Sequence, residues 1–238
     1  MKKRFFIRVF AMLLCAMMLL TACSSGSSGG SKQNTTPDTY ETPVEILEEI
    51  MNTKKFSDFG KLRLHQLNGF AEKEALNVYK AMLKSDSYKS YVENLAESYE
   101  EDIKNKQDLY GANYKYSIQI KNKEKLEDAY LQEFSDAIKS FIDKLESYTS
   151  ETDNYEEADW FDELGMTSAE TKSLVKAMDA LHKALKDAEV EDGYMLDLLI
   201  SVNDTEEGQK STIYVFKVNE HWISSAALAD LHFAIGWH

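Results

Sequence analysis

The chain has 238 residues, 43% hydrophobic and 29% charged, which is typical of a folded protein and too apolar for a disordered one. Aspartate and glutamate number 41 against 27 lysines and arginines, giving a formal net charge of -14. This balance argues against nucleic acid as a partner, because sequence-independent binding needs a basic surface that displaces counterions from phosphate.

The N-terminus has the features of an export signal. An apolar run over residues 9–20 is too short to cross a bilayer as a stable helix but fits the hydrophobic region of a signal peptide. The two cysteines of the chain, Cys15 and Cys23, lie in or just after this run, so the rest of the sequence offers no disulfide framework and no cysteine-based zinc site. The basic residues that precede the run are Lys2, Lys3, Arg4 and Arg8.

The four residues Leu20-Thr21-Ala22-Cys23 resemble the lipobox of bacterial lipoproteins. That resemblance implies cleavage after residue 22, a diacylglycerol on the Cys23 sulfur with palmitate-type acyl chains, and attachment to the cell membrane on its extracytoplasmic side. The alternative is an ordinary secretory signal that happens to be followed by a cysteine. We therefore predict a signal peptide over 1–22 and membrane anchoring through Cys23.

A Ser/Gly-rich stretch follows, beginning Ser24-Ser25-Gly26. Chains of this composition behave as flexible coils, so the sequence predicts that 23–42 is a lipidated cysteine followed by a disordered tether. The segment 43–238 is long enough for one hydrophobic core and is predicted to be a single domain.

Helix signals dominate the first two thirds of this domain. Thr42 is predicted to cap a first helix with Pro43 in its first turn. Apolar residues at helical spacing predict further helices over about 71–104, interrupted at 85–87, and over 126–145. Thr167 and Glu170 form a capping-box pair before a last long helix that ends near 185. Tyrosines on these stripes, such as Tyr88 and Tyr99, indicate a core edge or, alternatively, a ligand face.

Alternating apolar residues predict strands over 114–120, 194–202 and 212–218, with a further strand entered near Trp222. Small antiparallel sheets need helices packed on them, and we expect the helices to cover one face. The predicted fold class is therefore α+β, with long helices on a small curved antiparallel sheet. The alternative is a mainly helical fold with a C-terminal β-meander.

The stretch Ile213 to Ile223, which closes on Trp222-Ile223, resembles the last strands of uncharacterised Gram-positive lipoproteins with an NTF2-like, cystatin-like fold. The resemblance covers about 50 C-terminal residues well, although the usual Asp-Gly-Lys-Trp turn is Asn219-Glu220-His221-Trp222 here. It implies a curved sheet with helices in its concavity. It implies no activity, since that fold hosts many.

Candidate binding groups are few. The acidic stretch 151–163 offers carboxylates to Ca²⁺ but lacks the order of an EF-hand, so a solvated loop is the favoured interpretation. Its aromatic residues Tyr155, Trp160 and Phe161 either dock on the core or form a partner-binding patch. His232 and His238 could ligate a metal, but none of the five histidines has HExxH spacing. We predict no metal, no cofactor and no catalytic residue.

Three functions can be weighed against these sequence features. The favoured one is a non-catalytic surface lipoprotein that binds a small ligand or a cell-surface protein. The second is a small-molecule enzyme of the hydrolase or isomerase type that uses an NTF2-like pocket. A solute-binding importer component is disfavoured, because such proteins alternate strands and helices across two lobes.

Overall fold

The computed structural model describes residues 38–54, 56–150, 164–205 and 208–236. In these ranges it has seven helices and four strands, which establishes a mixed α+β architecture. The helices are α1 (Thr42–Asn52), α2 (Phe56–His65), α3 (Glu72–Met82), α4 (Asp86–Tyr110), α5 (Asp128–Ser150), α6 (Ser168–Leu185) and α7 (Ala226–Ala234). The strands are β1 (Tyr116–Lys125), β2 (Val190–Val202), β3 (Gly208–Val218) and β4 (His221–Ser224).

The strands form one antiparallel sheet in the order β1-β2-β3-β4. Ile118 lies opposite Ile200, and Leu196 lies opposite Ile213. β1 is separated from β2 by two long helices, so the sheet is more than a C-terminal meander. The strands predicted from alternation are confirmed, with β1 extending five residues beyond its predicted end across a bulge after Ile120.

Alternation gives the sheet two apolar faces, and helices cover both of them. The first, called the strap face, packs against α1 and comprises residues such as Tyr116, Leu196, Leu198, Val215 and Trp222. The second, called the bundle face, packs against the other helices through Phe216, Val218 and Ile223. The expectation that helices cover a single face was therefore wrong. The physical reason is that consecutive residues of β3 and β4, which point to opposite faces of the sheet, are both apolar and buried. Both faces must therefore be covered.

The bundle face is approached most closely by α5 and the residues before it. Phe134 stacks on Phe216 with ring centroids 3.9 Å apart. A Cβ at Gly193 would lie 2.9 Å from Leu131 Cδ2 and 3.0 Å from Leu126 Cδ1, so β2 needs a glycine where the helix crosses it. The first turn of α6 has the predicted capping box, in which Thr167 and Glu170 bond each other's backbone.

Residues 38–54, called the strap, run across the strap face from one edge strand to the other. α1 contacts both β4 and β1. Its 11 residues span about 16 Å, which matches the roughly 14 Å between the first and fourth strands of a sheet. Before the helix, the Tyr40 ring lies 5.4 Å from that of Tyr194 and 6.3 Å from that of Trp222. The predicted tether reached Thr42, but Asp38, the first described residue, already contacts the domain.

The strap supplies hydrogen bonds that a fifth strand would otherwise make. At the β1 edge, Asn52 accepts from Tyr116 N at 2.8 Å and donates to Tyr116 O at 2.9 Å, and Glu48 accepts from Ile118 N. At the β4 edge, Asp38 accepts from Trp222 N at 3.1 Å. An unpaired sheet edge is a template for association with other chains, so these side chains both satisfy and block it.

Two details of the helices differ from prediction. Thr42 does not cap α1; Glu41 occupies that position without a side-chain cap, and Thr42 Oγ1 instead accepts from Thr39 N, while Pro43 lies in the first turn as predicted. The helix α7 was not predicted, because it is short and mostly apolar and its two polar residues, Asp230 and His232, do not mark an amphipathic period. It is buried through Leu231 and Phe233.

The edge bonds generate a first prediction. Replacing Asn52 with alanine leaves both backbone groups of Tyr116 without their partner, so we expect the free energy of unfolding to fall by about 1–3 kcal/mol. The matched control is Asn122→Ala, which removes an exposed side-chain amide on β1, the strand of Tyr116. The expected change in the free energy of unfolding is within about 0.5 kcal/mol. Urea unfolding of both variants measures the difference, and equal effects would contradict the edge-closing role.

Candidate functional site

The C-terminal end of the strap contacts a group of tyrosines, which we call the tyrosine cluster. It comprises Tyr99 and Tyr110 of α4, Tyr114 in the loop that follows, and Tyr116, the first residue of β1. The rings of Tyr110 and Tyr114 lie 6.1 Å apart, and those of Tyr114 and Tyr116 lie 5.7 Å apart, both edge to face. Such offset geometry is favourable between aromatic rings. Charged side chains from the strap and from α4 lie against the cluster.

Lys54 is the charged group of the strap that lies on this cluster. Its Nζ is 2.9 Å from the centroid of the Tyr114 ring, and this ammonium is buried without a hydrogen-bond partner among the described residues. Burial, together with the positive charge of Lys106, lowers the pKa of Lys54 to about 8. The aromatic face therefore stabilises a cation that has lost its water.

Tyr116 is the second unusual group. Its side chain is only 1% exposed, and its hydroxyl has no hydrogen-bond partner among the described residues. Burial raises the pKa of Tyr116 above its usual range. Lys106 lies 5.9 Å from the centre of the Tyr116 ring and forms a salt bridge with Asp102. A buried polar atom without a partner costs free energy, so this cluster is held in place by the surrounding fold.

Tyr99 links the cluster directly to the strap. Its hydroxyl donates to the Thr53 carbonyl oxygen at 2.6 Å. Burial, together with the negative charge of Asp102, raises the pKa of Tyr99 to about 12. The cluster therefore offers phenol groups that stay protonated at neutral pH and an amine that is partly neutral there. The rings of Tyr110, Tyr114 and Tyr116 are buried, and none of the contacts described sets a nucleophile against a base.

A separate polar network is buried between α2, β4 and α7. Asp230, 1% exposed, accepts from Arg63 Nε at 2.6 Å and from Gln66 Nε2 at 2.7 Å. Ser224 donates to the other end of Gln66. Burial raises the pKa of Asp230 to about 6, although the Arg63 charge opposes this change. At neutral pH Asp230 is ionised and pairs with Arg63, so this network is structural.

The histidines do not form a metal site in the part of the chain described. His65 pairs with Glu72 at 3.0 Å, and that hydrogen bond raises the pKa of His65. His221 lies against Gly69, and His232 packs edge-on against Phe141 at 5.0 Å. No group of three His, Cys, Asp or Glu side chains that could hold a metal occurs among the described residues.

Several predicted sites lie outside the described residues: Cys23, the acidic stretch 151–163 with Tyr155, Trp160 and Phe161, and His238. They remain predictions. The tyrosines of the cluster could be found from the sequence, since Tyr99, Tyr114 and Tyr116 each lie on a predicted buried stripe. Lys54 could not, because a lysine after a helix is ordinarily solvated.

None of the helices in the described ranges has the length and apolar character needed to cross a membrane. Comparison with models of protein families, with curated proteins and with solved structures finds no significant match to this chain.

The unpartnered ammonium generates a second prediction. Replacing Lys54 with methionine keeps the length and removes the buried charge, so we expect the free energy of unfolding to rise by about 1 kcal/mol at pH 7. Because the folded pKa of Lys54 is below that of a free lysine, the wild-type protein gains stability as pH rises from about 8 towards 10.5, and the advantage of the variant should shrink there.

Unfolding in dilute buffer at pH 7, 8, 9 and 10 measures this difference. Lys89→Met, at an exposed position of α4, is the matched control and should show no such trend. A Lys54→Met variant that is less stable at every pH would contradict the argument.

The buried network generates a third prediction. Replacing Asp230 with alanine removes the carboxylate that Arg63 and Gln66 both contact, and we expect a loss of about 3 kcal/mol in the free energy of unfolding. The matched control is Asp179→Ala. It removes a surface carboxylate whose salt bridge to Lys183 is as short as that of Asp230 to Arg63, and it should cost about 0.5 kcal/mol. Guanidinium unfolding at pH 7 compares them; similar losses would show that burial of the network is unimportant.

Proposed function

We propose that the protein is a membrane-anchored extracytoplasmic lipoprotein, held by a diacylglycerol on Cys23, whose domain is a non-catalytic module that binds a small ligand or a cell-surface protein. The observation that carries the proposal is the order of segments: a lipobox-like sequence ending at Cys23, a Ser/Gly-rich stretch, and a domain that Asp38 already contacts. Each part supplies something an anchored module needs.

The distance between anchor and domain follows from the chain length. Fourteen residues, 24–37, separate Cys23 from Asp38. A flexible coil of that length has a mean reach of about 20 Å. The predicted tether would therefore keep an acidic domain near, but not against, an anionic membrane surface, with the β4 edge towards the tether. One acyl chain binds a membrane only marginally, and the two of a diacylglycerol make release slow.

The binding part of the proposal rests on the order of segments, because the tyrosine cluster is largely buried and presents no open surface to a ligand in the described part of the domain. The contacts described single out no catalytic group. The enzyme alternative therefore rests on the fold resemblance alone. The acidic composition also disfavours nucleic acid as a partner.

The finer fold assignment belongs to the same proposal. An antiparallel sheet ending in β3, a short turn and Trp222-Ile223, with long helices on it, supports the NTF2-like or cystatin-like resemblance. The strap, which covers the other side of the sheet, is an addition that the resemblance did not imply.

The test is anchoring in a bacterial host given an alkyne-tagged fatty acid. We expect the wild-type chain to be labelled, and mass spectrometry of the membrane fraction to find lipid-modified Cys23 at its N-terminus. Cys23→Ser should lose the label completely, because serine cannot form the thioether. Cys15→Ser is the matched control, since Cys15 would leave with the signal peptide, and it should be labelled like the wild type.

Two outcomes would overturn the anchor. One is a wild-type chain without fatty acid whose Cys23 is a free thiol. The other is a Cys23→Ser chain that is labelled as strongly as the wild type. A Cys23→Ser chain that stays with the membrane through an uncleaved signal peptide would still lose the label, so labelling separates the two kinds of attachment.

A further inference from the structure

We propose that the strap is a releasable clasp that couples the two edges of the sheet, so that loss of its hold on β4 opens the edge of β1 and unseats Lys54 from the tyrosine cluster. The observation behind this is that the polar contacts from residues 38–54 to the rest of the described domain gather in two places, around Asp38 and between Glu48 and Lys54. Asp38 is the contact at one end, and Glu48, Asn52 and Lys54 are those at the other.

The β4 end is held by a small set of bonds. The two carboxylate oxygens of Asp38 accept from Asn68 Nδ2 at 2.8 Å and from Trp222 N at 3.1 Å, and His221 Nδ1 lies 3.7 Å from one of them. Tyr40 adds its ring to those of Tyr194 and Trp222. These contacts lie at the first described residues of the chain, on the side from which the predicted tether would arrive.

The β1 end is held by side chains of the last turns of α1. Asn52 and Glu48 bind the outward backbone groups of Tyr116 and Ile118, and Thr53 and Lys54 contact the tyrosine cluster. None of these bonds can form unless α1 lies across the sheet at its observed angle. They therefore depend on the docking of the whole helix.

The helix between the two ends makes them a unit. An isolated helix of 11 residues is marginal in water, so α1 has no stable undocked form and must either lie on the sheet or melt. While it is docked, it is a rigid rod of about 16 Å. Release at Asp38 frees its first turn, shortens the docked helix and reduces the burial that holds Glu48 and Asn52 in place.

The coupling is a property of the folded domain and does not depend on the lipid. Its use in the cell rests on the proposed function, because a chain anchored at Cys23 would transmit force from the membrane to Asp38. A released strap would expose the backbone edge of β1, which is a surface for pairing with an extended segment.

Amide hydrogen exchange of the full-length chain in detergent tests the coupling. The amides of Tyr116 and Ile118 bond only to strap side chains, so they report on the far end. We expect Asp38→Ala to speed their exchange at least fivefold, while the amide of Val215, in the centre of the sheet, is unchanged. Thr167→Ala removes the capping box of α6, distant from the strap, and should leave Tyr116 and Ile118 at the wild-type rate.

A double-mutant cycle gives an independent measurement. Changes at separate positions that share no partner usually add. If the strap releases as one unit, the shift in urea midpoint for Asp38→Ala with Asn52→Ala should be clearly smaller than the sum of the single shifts. Additive shifts, or faster exchange confined to the Trp222 amide, would overturn the proposal.

These measurements separate the two proposals. They need no membrane attachment, so additive shifts would leave the labelling of Cys23 unaffected. Conversely, a chain found without lipid should still show faster exchange at Tyr116 when Asp38 is replaced.

Discussion

The fold depends on how the open edges of a four-stranded sheet are satisfied. A sheet that does not close leaves a row of backbone donors and acceptors on each outer strand, and these must find partners or attract other chains. Here side chains form the hydrogen bonds that neighbouring strands would otherwise make. A single amide, Asn52, binds both backbone groups of Tyr116, and a single carboxylate, Asp38, binds the backbone of Trp222. Because both belong to one segment, the two edges depend on one docking event.

Much of the fold could be predicted from local patterns. Alternation in β2 and β3 and helical spacing in α4 to α6 reflect burial on a regular period, which a sequence displays directly. The capping box of Thr167 and Glu170 is equally local. α7 could not be predicted, since a short, mostly apolar helix has no polar face to mark its period.

The polar contacts of the candidate site were harder to predict, for a different reason. Asp38 lies 184 positions from Trp222, and Asn52 lies 64 from Tyr116. An asparagine that ends a helix is normally solvated, and nothing in its neighbours indicates that it binds a distant strand. Tyr114 and Tyr116 were correctly placed on a buried face, but the position of Lys54 over them depends on how α1 lies across the sheet. The two buried charges also differ: Asp230 is contacted by two polar side chains, Arg63 and Gln66, whereas the ammonium of Lys54 has an aromatic face and no hydrogen-bond partner among the described residues.

The early docking of the chain has a practical consequence for recombinant work. A truncated fragment begun at Pro43, where helix signals first become strong, would omit the ring of Tyr40 and the carboxylate of Asp38. The indole of Trp222, only 8% exposed in the intact fold, would then face solvent beside an unguarded strand. Poor solubility of such a fragment would reflect where it was cut, and a soluble version should start upstream of residue 38.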